Sequence, residues 1–328
     1  MYIFLSSEYN FQNIIIMPAS TQSGNYVRRG IIMGVIWNMI QGFCMAMADA
    51  VPGVSGGTIA FVMGFYDIFI ESLDNIITGN KKEKQKAFLF LLKLGAGWIV
   101  GFVCTVLALG KIFDNYIYEL CSMFLGLSFF AVPIIIHDER QAIKGKYVHF
   151  IFAIIGVAIV ALITYLNQAF VRGSMDISNL TFIKGLYVFI VAAIAISAMV
   201  LPGISGSTLL LIFGLYVPIM NAIRGFLHFE FKYVAVLFVF GIGILAGIFT
   251  SVKLLRTGLE KYRSQMVFLI LGLVVGSMYA IVTGPATLEI AQPVMTVQTF
   301  KAGYFILGGA ILLALQLLKK YMERGSVR

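Results

Sequence analysis

Long apolar runs with almost no charge recur through this chain, near residues 31–48, 59–72, 88–110, 116–136, 149–166, 183–200, 209–223, 232–251, 266–284 and 301–318. Most approach the roughly 20 residues that an apolar helix needs to cross a bilayer. A water-soluble chain cannot hide so many such runs in its own core. Apolar residues make up 60% of the sequence and charged residues only 12%, against about 25% charged in ordinary soluble domains. The pattern predicts an all-α, polytopic membrane protein.

The net charge of +9 alone would admit a nucleic-acid partner, but the basic residues sit in short loops between apolar runs, where they set membrane orientation. If the segments within 31–72 return to their starting side, and those within 183–223 do the same, one side collects 17 Lys and Arg and the other 6, with Lys93 inside a span. That bias predicts cytoplasmic N and C termini. Cys44, Cys104 and Cys121 lie far apart in or beside apolar runs, without CxxC spacing, and read as packing residues. His137, His149 and His228 stand at span edges with no ligand-spaced partner. No metal and no cofactor is expected. Residues 1–27 lack the pattern of a signal peptide and read as a cytoplasmic extension, with Met17 an alternative start.

Self-comparison exposes a repeat. Residues 52–66 read PGVSGGTIAFVMGFY and residues 202–216 read PGISGSTLLLIFGLY, identical at seven of fifteen positions at an offset of 150. Gly95, Gly97 and Gly101 match Gly241, Gly243 and Gly247, and Leu125-Gly126-Leu127 matches Leu271-Gly272-Leu273, at an offset of 146. An odd number of crossings between the copies would invert one half relative to the other, a plan shared by many transporters. The organisation expected is an extension over 1–27, a first repeat over 28–148, a connecting span and loop over 149–182, a second inverted repeat with the final span over 183–318, and a cytoplasmic tail over 319–328.

Each PGxSGxT block carries chemistry. Pro cannot donate a backbone hydrogen bond and Gly relaxes the backbone, so Pro52-Gly53 and Pro202-Gly203 should end the preceding helix. A new helix should begin near Thr58 and Thr208, with Ser55 and Ser205 placed to cap it. Non-helical backbone at membrane depth survives only when buried in protein or lining a wet cavity. A helix start offers free N–H groups and partial positive charge to an anion. Gly56, Gly57 and Gly206 would present bare amides, and Ser55, Thr58, Ser205, Ser207 and Thr208 hydroxyls. Close helix packing through glycine is the competing explanation of such blocks.

Few ionisable residues interrupt the apolar runs. Asp49 precedes the first break, while the corresponding Ala198 and Met199 are uncharged. It reads either as a local cap or as a protonation switch that repels an anion when ionised and admits it when neutral. Lys93 either snorkels to the headgroups or pairs with Asp49 or a phosphate. Asp67 and Glu71, four residues apart, face the wet mouth or form part of a proton path.

ADAVPGVSGGTIAFVMGFY together with MVLPGISGSTLLLIFGLY closely resembles the PopT family of polyprenyl-phosphate translocases, over roughly residues 28–320. The resemblance implies a flippase, not an enzyme, that returns undecaprenyl phosphate from the outer to the inner leaflet for cell-wall synthesis. The partners expected are the lipid and the bilayer, with no nucleic acid, and the oligomeric state is left open. Two rivals stand beside it. A polyprenyl-diphosphate phosphatase would need cations and a base around the phosphate, which the motifs lack. A small-anion transporter could use the same half-helix ends.

Overall fold

The computed structural model describes residues 24–49, 55–170, 181–287 and 292–325, and the described residues are helical with no strand. Helices α1 (Gly24–Asp49), α2 (Gly56–Val62), α3 (Tyr66–Thr78) and α4 (Lys81–Asp138) lead into the short α5 (Arg140–Ile143) and α6 (Phe150–Phe170). After them come α7 (Phe182–Met199), α8 (Gly206–Ile212), α9 (Tyr216–Leu227), α10 (Val234–Lys261), α11 (Arg263–Thr283) and α12 (Ala302–Gly325). The order of long, short, short, long repeats from α1 and again from α7. A non-helical Tyr116 (φ −131°, ψ 28°) divides α4 into two pieces, so that they parallel α10 and α11. Among the described residues six helices are long and apolar enough to cross a membrane, or up to eight if each bent pair counts as one span. Large apolar side chains such as Ile99, Leu162, Phe238 and Leu245 point outward, as a lipid-facing surface requires.

Local chemistry sets the boundaries. Asn80 opens α4 with a capping box: its Oδ1 accepts from the Lys82 and Glu83 amides at 3.1 Å, and Glu83 Oε2 accepts from the Asn80 amide at 2.7 Å. The expected segments 59–72 and 209–223 are not continuous. Each is broken a second time, with bends of 118° between α2 and α3 and 110° between α8 and α9. The cause is a left-handed glycine after each short helix, Gly64 (φ 72°) and Gly214 (φ 66°). Around them the Phe65 amide donates to Ala60 O at 3.0 Å and the Leu215 amide to Leu210 O at 2.8 Å, the hydrogen-bond signature of a Schellman stop. Seven residues of α2 or α8 extend about 10 Å, a third of the hydrocarbon thickness.

Small residues bring the long helices together. A Cβ at Gly97 or Gly101 would strike the α1 backbone at Met39 or Phe43, and one at Gly243 or Gly247 would strike α7 at Phe189 or Ala193. The Leu-Gly-Leu duplicates do the same work between halves. Gly126 of α4 abuts Phe305 of α12, and Gly272 of α11 abuts Ala153 of α6. Helix α12 therefore lies against α4, and α6 lies against α11. The largest core cluster runs through both halves, from Ile59, Tyr66 and Ile70 to Val252, Leu255 and Val267.

Candidate functional site

The two PGxSGxT interruptions meet. Short α2 begins at Gly56 and α8 at Gly206, two residues before the Thr58 and Thr208 starts expected from sequence. Ser55 caps α2, its Oγ accepting from the Gly57 amide at 3.2 Å, while its hydroxyl lies 3.4 Å from the Leu201 carbonyl that receives its hydrogen. Thr58 reaches further: its Oγ1 accepts from the Gly203 amide at 2.8 Å. Tyr66, at the start of α3, donates to Val200 O at 3.1 Å. Hydroxyls of the first copy thus satisfy backbone groups that the second break leaves orphaned, as a polar turn inside an apolar bundle demands. Gly203 holds φ +89°, and a Cβ there would come within 2.5 Å of Leu273 O. Gly57 is less tight, with a Cβ falling 3.1 Å from Val200 O. Pro52 and Gly53 lie outside the described residues.

The second copy is arranged differently. Pro202 and Gly206 are buried, whereas Ser205, Ser207 and Thr208 are half-buried. Ser205 does not cap α8 through its side chain; its Oγ pairs with Ser207 Oγ at 2.7 Å. Beside it opens a small cleft of about 20 Å³, room for about one water, lined by Gly203, Ile204, Ser205, Thr208, Ala280 of α11, and Val160, Ile163 and Thr164 of α6.

Asp49 ends α1 beside the first copy. Its Oδ1 accepts from the Gly56 amide at 2.6 Å and its Oδ2 from Trp98 Nε1 at 3.0 Å. The carboxylate occupies the donors of the α2 start, and its polar partner on α4 is Trp98. Sequence reasoning considered Lys93 for that role and missed the indole. The available signal was the Gly97 and Gly101 pair that flanks Trp98 and marks the face packed on α1. Lys93 is half-buried one turn earlier.

Asp67 and Glu71 stand exposed on α3. Asp67 Oδ2 accepts from Arg263 Nη1 at 2.7 Å, and Glu139 takes two more hydrogen bonds from the same guanidinium at 2.5 and 3.1 Å. Glu71 accepts from Asn75 at 3.5 Å. Buried Asp74, which the sequence reading passed over, is ion-paired with Arg256, and Arg256 also donates to Glu260 at 2.9 Å and Asn75 at 3.2 Å. Arg256 and Arg263, placed in a loop by the sequence reading, stand on α10 and α11. Among the described residues no cluster of His, Cys, Asp or Glu is arranged to hold a metal; His149 instead pairs with Ser264 at 2.8 Å.

A bundle of membrane-length apolar helices whose two broken, bent pairs meet at a polar centre defines a polytopic α-helical membrane protein. Such centres belong to the transporter class. Residues 45–299 match the VCA0040-like family, described as undecaprenyl phosphate translocase-like, and the chain belongs to that family. It is 33% identical over 274 residues to a polyprenyl-phosphate transporter of Staphylococcus aureus, covering 82% of this chain and 93% of that protein. It is 30% identical over 259 residues to a polyprenyl-phosphate transporter of Vibrio cholerae, covering 76% and 78%. No solved structure is a match.

Proposed function

We propose that this protein translocates polyprenyl phosphate, with undecaprenyl phosphate the expected species, from the outer to the inner leaflet of a prokaryotic cytoplasmic membrane, so that the carrier lipid is reused. It does so as a transporter that leaves the phosphate ester intact. The observation that carries this reading is the direct hydrogen bonding of the two broken-helix motifs, Thr58 to Gly203 and Ser55 to Leu201, which gathers their hydroxyls and helix starts at one polar centre. Moving a bare phosphate through hydrocarbon would cost on the order of ten kcal/mol or more. A polar path open sideways removes most of that cost while the isoprenoid tail stays in lipid.

The headgroup is held by the motif residues: Gly56, Gly57 and Gly206 through amides, Ser55, Thr58, Ser205, Ser207 and Thr208 through hydroxyls, with Pro52-Gly53 and Pro202-Gly203 setting the breaks. The two halves are oppositely oriented, so the same site can be presented to either leaflet. Asp49 competes with the phosphate for the Gly56 amide and is the group through which a proton could be coupled. Both termini face the cytoplasm, on the side that carries 17 of the Lys and Arg residues.

The test is leaflet-resolved accessibility of tagged polyprenyl phosphate in vesicles containing the purified protein. Wild type should equilibrate the lipid between leaflets, and Ser205→Ala together with Gly206→Leu should abolish this while the protein still inserts. Equal flipping by that variant, or none by wild type, would remove the motif or the substrate from the mechanism.

A further inference from the structure

One face of α6 has no place in the account above. Val160, Ile163 and Thr164 line the cleft beside the second motif. At about 100° per residue, Asn167 falls at the centre of the same arc, one turn beyond Thr164. Its side chain is buried, 3% exposed, yet its Oδ1 meets no hydrogen-bonding partner. Thr164 is buried as well, 4% exposed, and gives its hydrogen to Val160 O at 2.8 Å, leaving oxygen lone pairs free. A buried amide oxygen without a partner is an unfavourable thing to keep in an apolar helix packed on α8 and α11, since an unsatisfied group bears its full desolvation cost. Leucine would fit the same volume without that cost.

The first motif, by contrast, has its polar groups in use. Gly56 donates to Asp49, Gly57 to Ser55, Ser55 to Leu201, and Thr58 accepts from Gly203. Open space adjoins the second motif instead. We propose that Thr164 and Asn167 complete the headgroup site there, as direct ligands of the phosphate from the wall opposite Ser205 and Thr208. The Asn167 amide suits a phosphomonoester on both ends: Nδ2 donates to an anionic oxygen, while Oδ1 accepts from the P–OH of the monoanion or from a bridging water. Thr164, whose hydrogen is engaged by Val160 O, offers an acceptor to the P–OH or to a bridging water. This assignment rests on the phosphate-transport reading and adds side chains of α6 to the ligands that the two motifs supply.

The experiment compares wild type, Asn167→Leu, Thr164→Val and Ser205→Ala in vesicles of phosphatidylethanolamine and phosphatidylglycerol, reading flipping of tagged polyprenyl phosphate. In parallel, the melting temperature of each purified protein is measured with and without a short-chain isoprenyl phosphate. Asn167→Leu should melt at or above the wild-type temperature without ligand. It should also lose the ligand-induced shift and flip at least about tenfold more slowly, the loss expected for a hydrogen bond to a charged group. Thr164→Val should move both ligand readouts in the same direction. Wild-type flipping and an unchanged ligand shift in both α6 variants, with Ser205→Ala inactive, would overturn the proposal and leave the transport reading intact. Collapse of Asn167→Leu would also overturn it, because the amide would then have an internal partner. No flipping by wild type would sink both.

Discussion

Thr58 is the residue on which the junction between the two motifs turns. Its Oγ1 is the acceptor for the buried Gly203 amide at 2.8 Å, and the hydroxyl is 1% exposed as part of its residue. Thr58→Val keeps the shape and strands that N–H, which should cost about 1–3 kcal/mol and lower the melting temperature. Thr58→Ser should recover most of the loss, because the acceptor returns; equal melting of all three proteins would show that Gly203 has another partner. Asp49 poses a separate question at the same scale. Asp49→Asn retains an acceptor for the Gly56 amide and removes the negative charge that competes with phosphate. Flipping by that variant should persist and should lose its response to an imposed pH gradient, whereas an unaltered response would take Asp49 out of any proton coupling.

Helices α3 and α9 occupy equivalent places in the two halves but are held differently. Tyr66 and Ile70 of α3 pack into one core with Val252, Leu255 and Leu259 of α10, and the ion pairs of Asp67 and Asp74 with Arg263 and Arg256 cross between halves. Among the described residues, α9 and the preceding Leu215 bury Leu215, Ile219 and Ala222 against Val188, Val191 and Val236, all from the same half. The structure is thus latched on the Lys- and Arg-rich side. Asp74→Arg should break the latch and raise labelling of cysteines introduced on α3 by a membrane-impermeant thiol reagent from that side. Adding Arg256→Asp should restore the pair and lower labelling again; labelling insensitive to both changes would show that apolar packing alone closes this side. The sequence announced the two breaks through Pro-Gly, and the helix faces through the 146-residue glycine register. It did not announce the latch, because Asp74 meets Arg256 across 182 positions and no local spacing encodes such a pair. The second bend was legible in principle, since Gly64 and Gly214 recur in the duplicated blocks. In an otherwise apolar run, however, a lone glycine does not declare a positive φ. Trp98 stayed hidden for a related reason: an indole in an apolar helix reads as packing until its N–H is seen to face a carboxylate.

At the scale of the molecule, the halves are bound by more than their meeting motifs, because α12 lies on α4 and α6 lies on α11. Both contacts run through glycine. A Cβ at Gly126 would overlap the Phe305 carbonyl and one at Gly272 the Ala153 carbonyl, whereas Gly95 and Gly241 have nothing within 4 Å of that position. All four glycines belong to the duplicated register, so repetition alone cannot separate those that hold the halves together from those that face open space. The structure separates them, and the difference is measurable. Gly126→Leu or Gly272→Leu must push a helix of one half off a helix of the other, against backbone that cannot rotate away. Overpacking where side chains can adjust costs about 1–3 kcal/mol, and here the cost should exceed that range. Gly95→Leu and Gly241→Leu place the same side chain in open space and should melt within a few degrees of wild type, helped slightly by the better helix propensity of leucine. Fluorescence-detected gel filtration after a heat series reads all four variants in one detergent. If Gly272→Leu survives as well as Gly241→Leu, the exchanged final helices do not bind the halves together, and the motif contacts would have to hold the site closed by themselves.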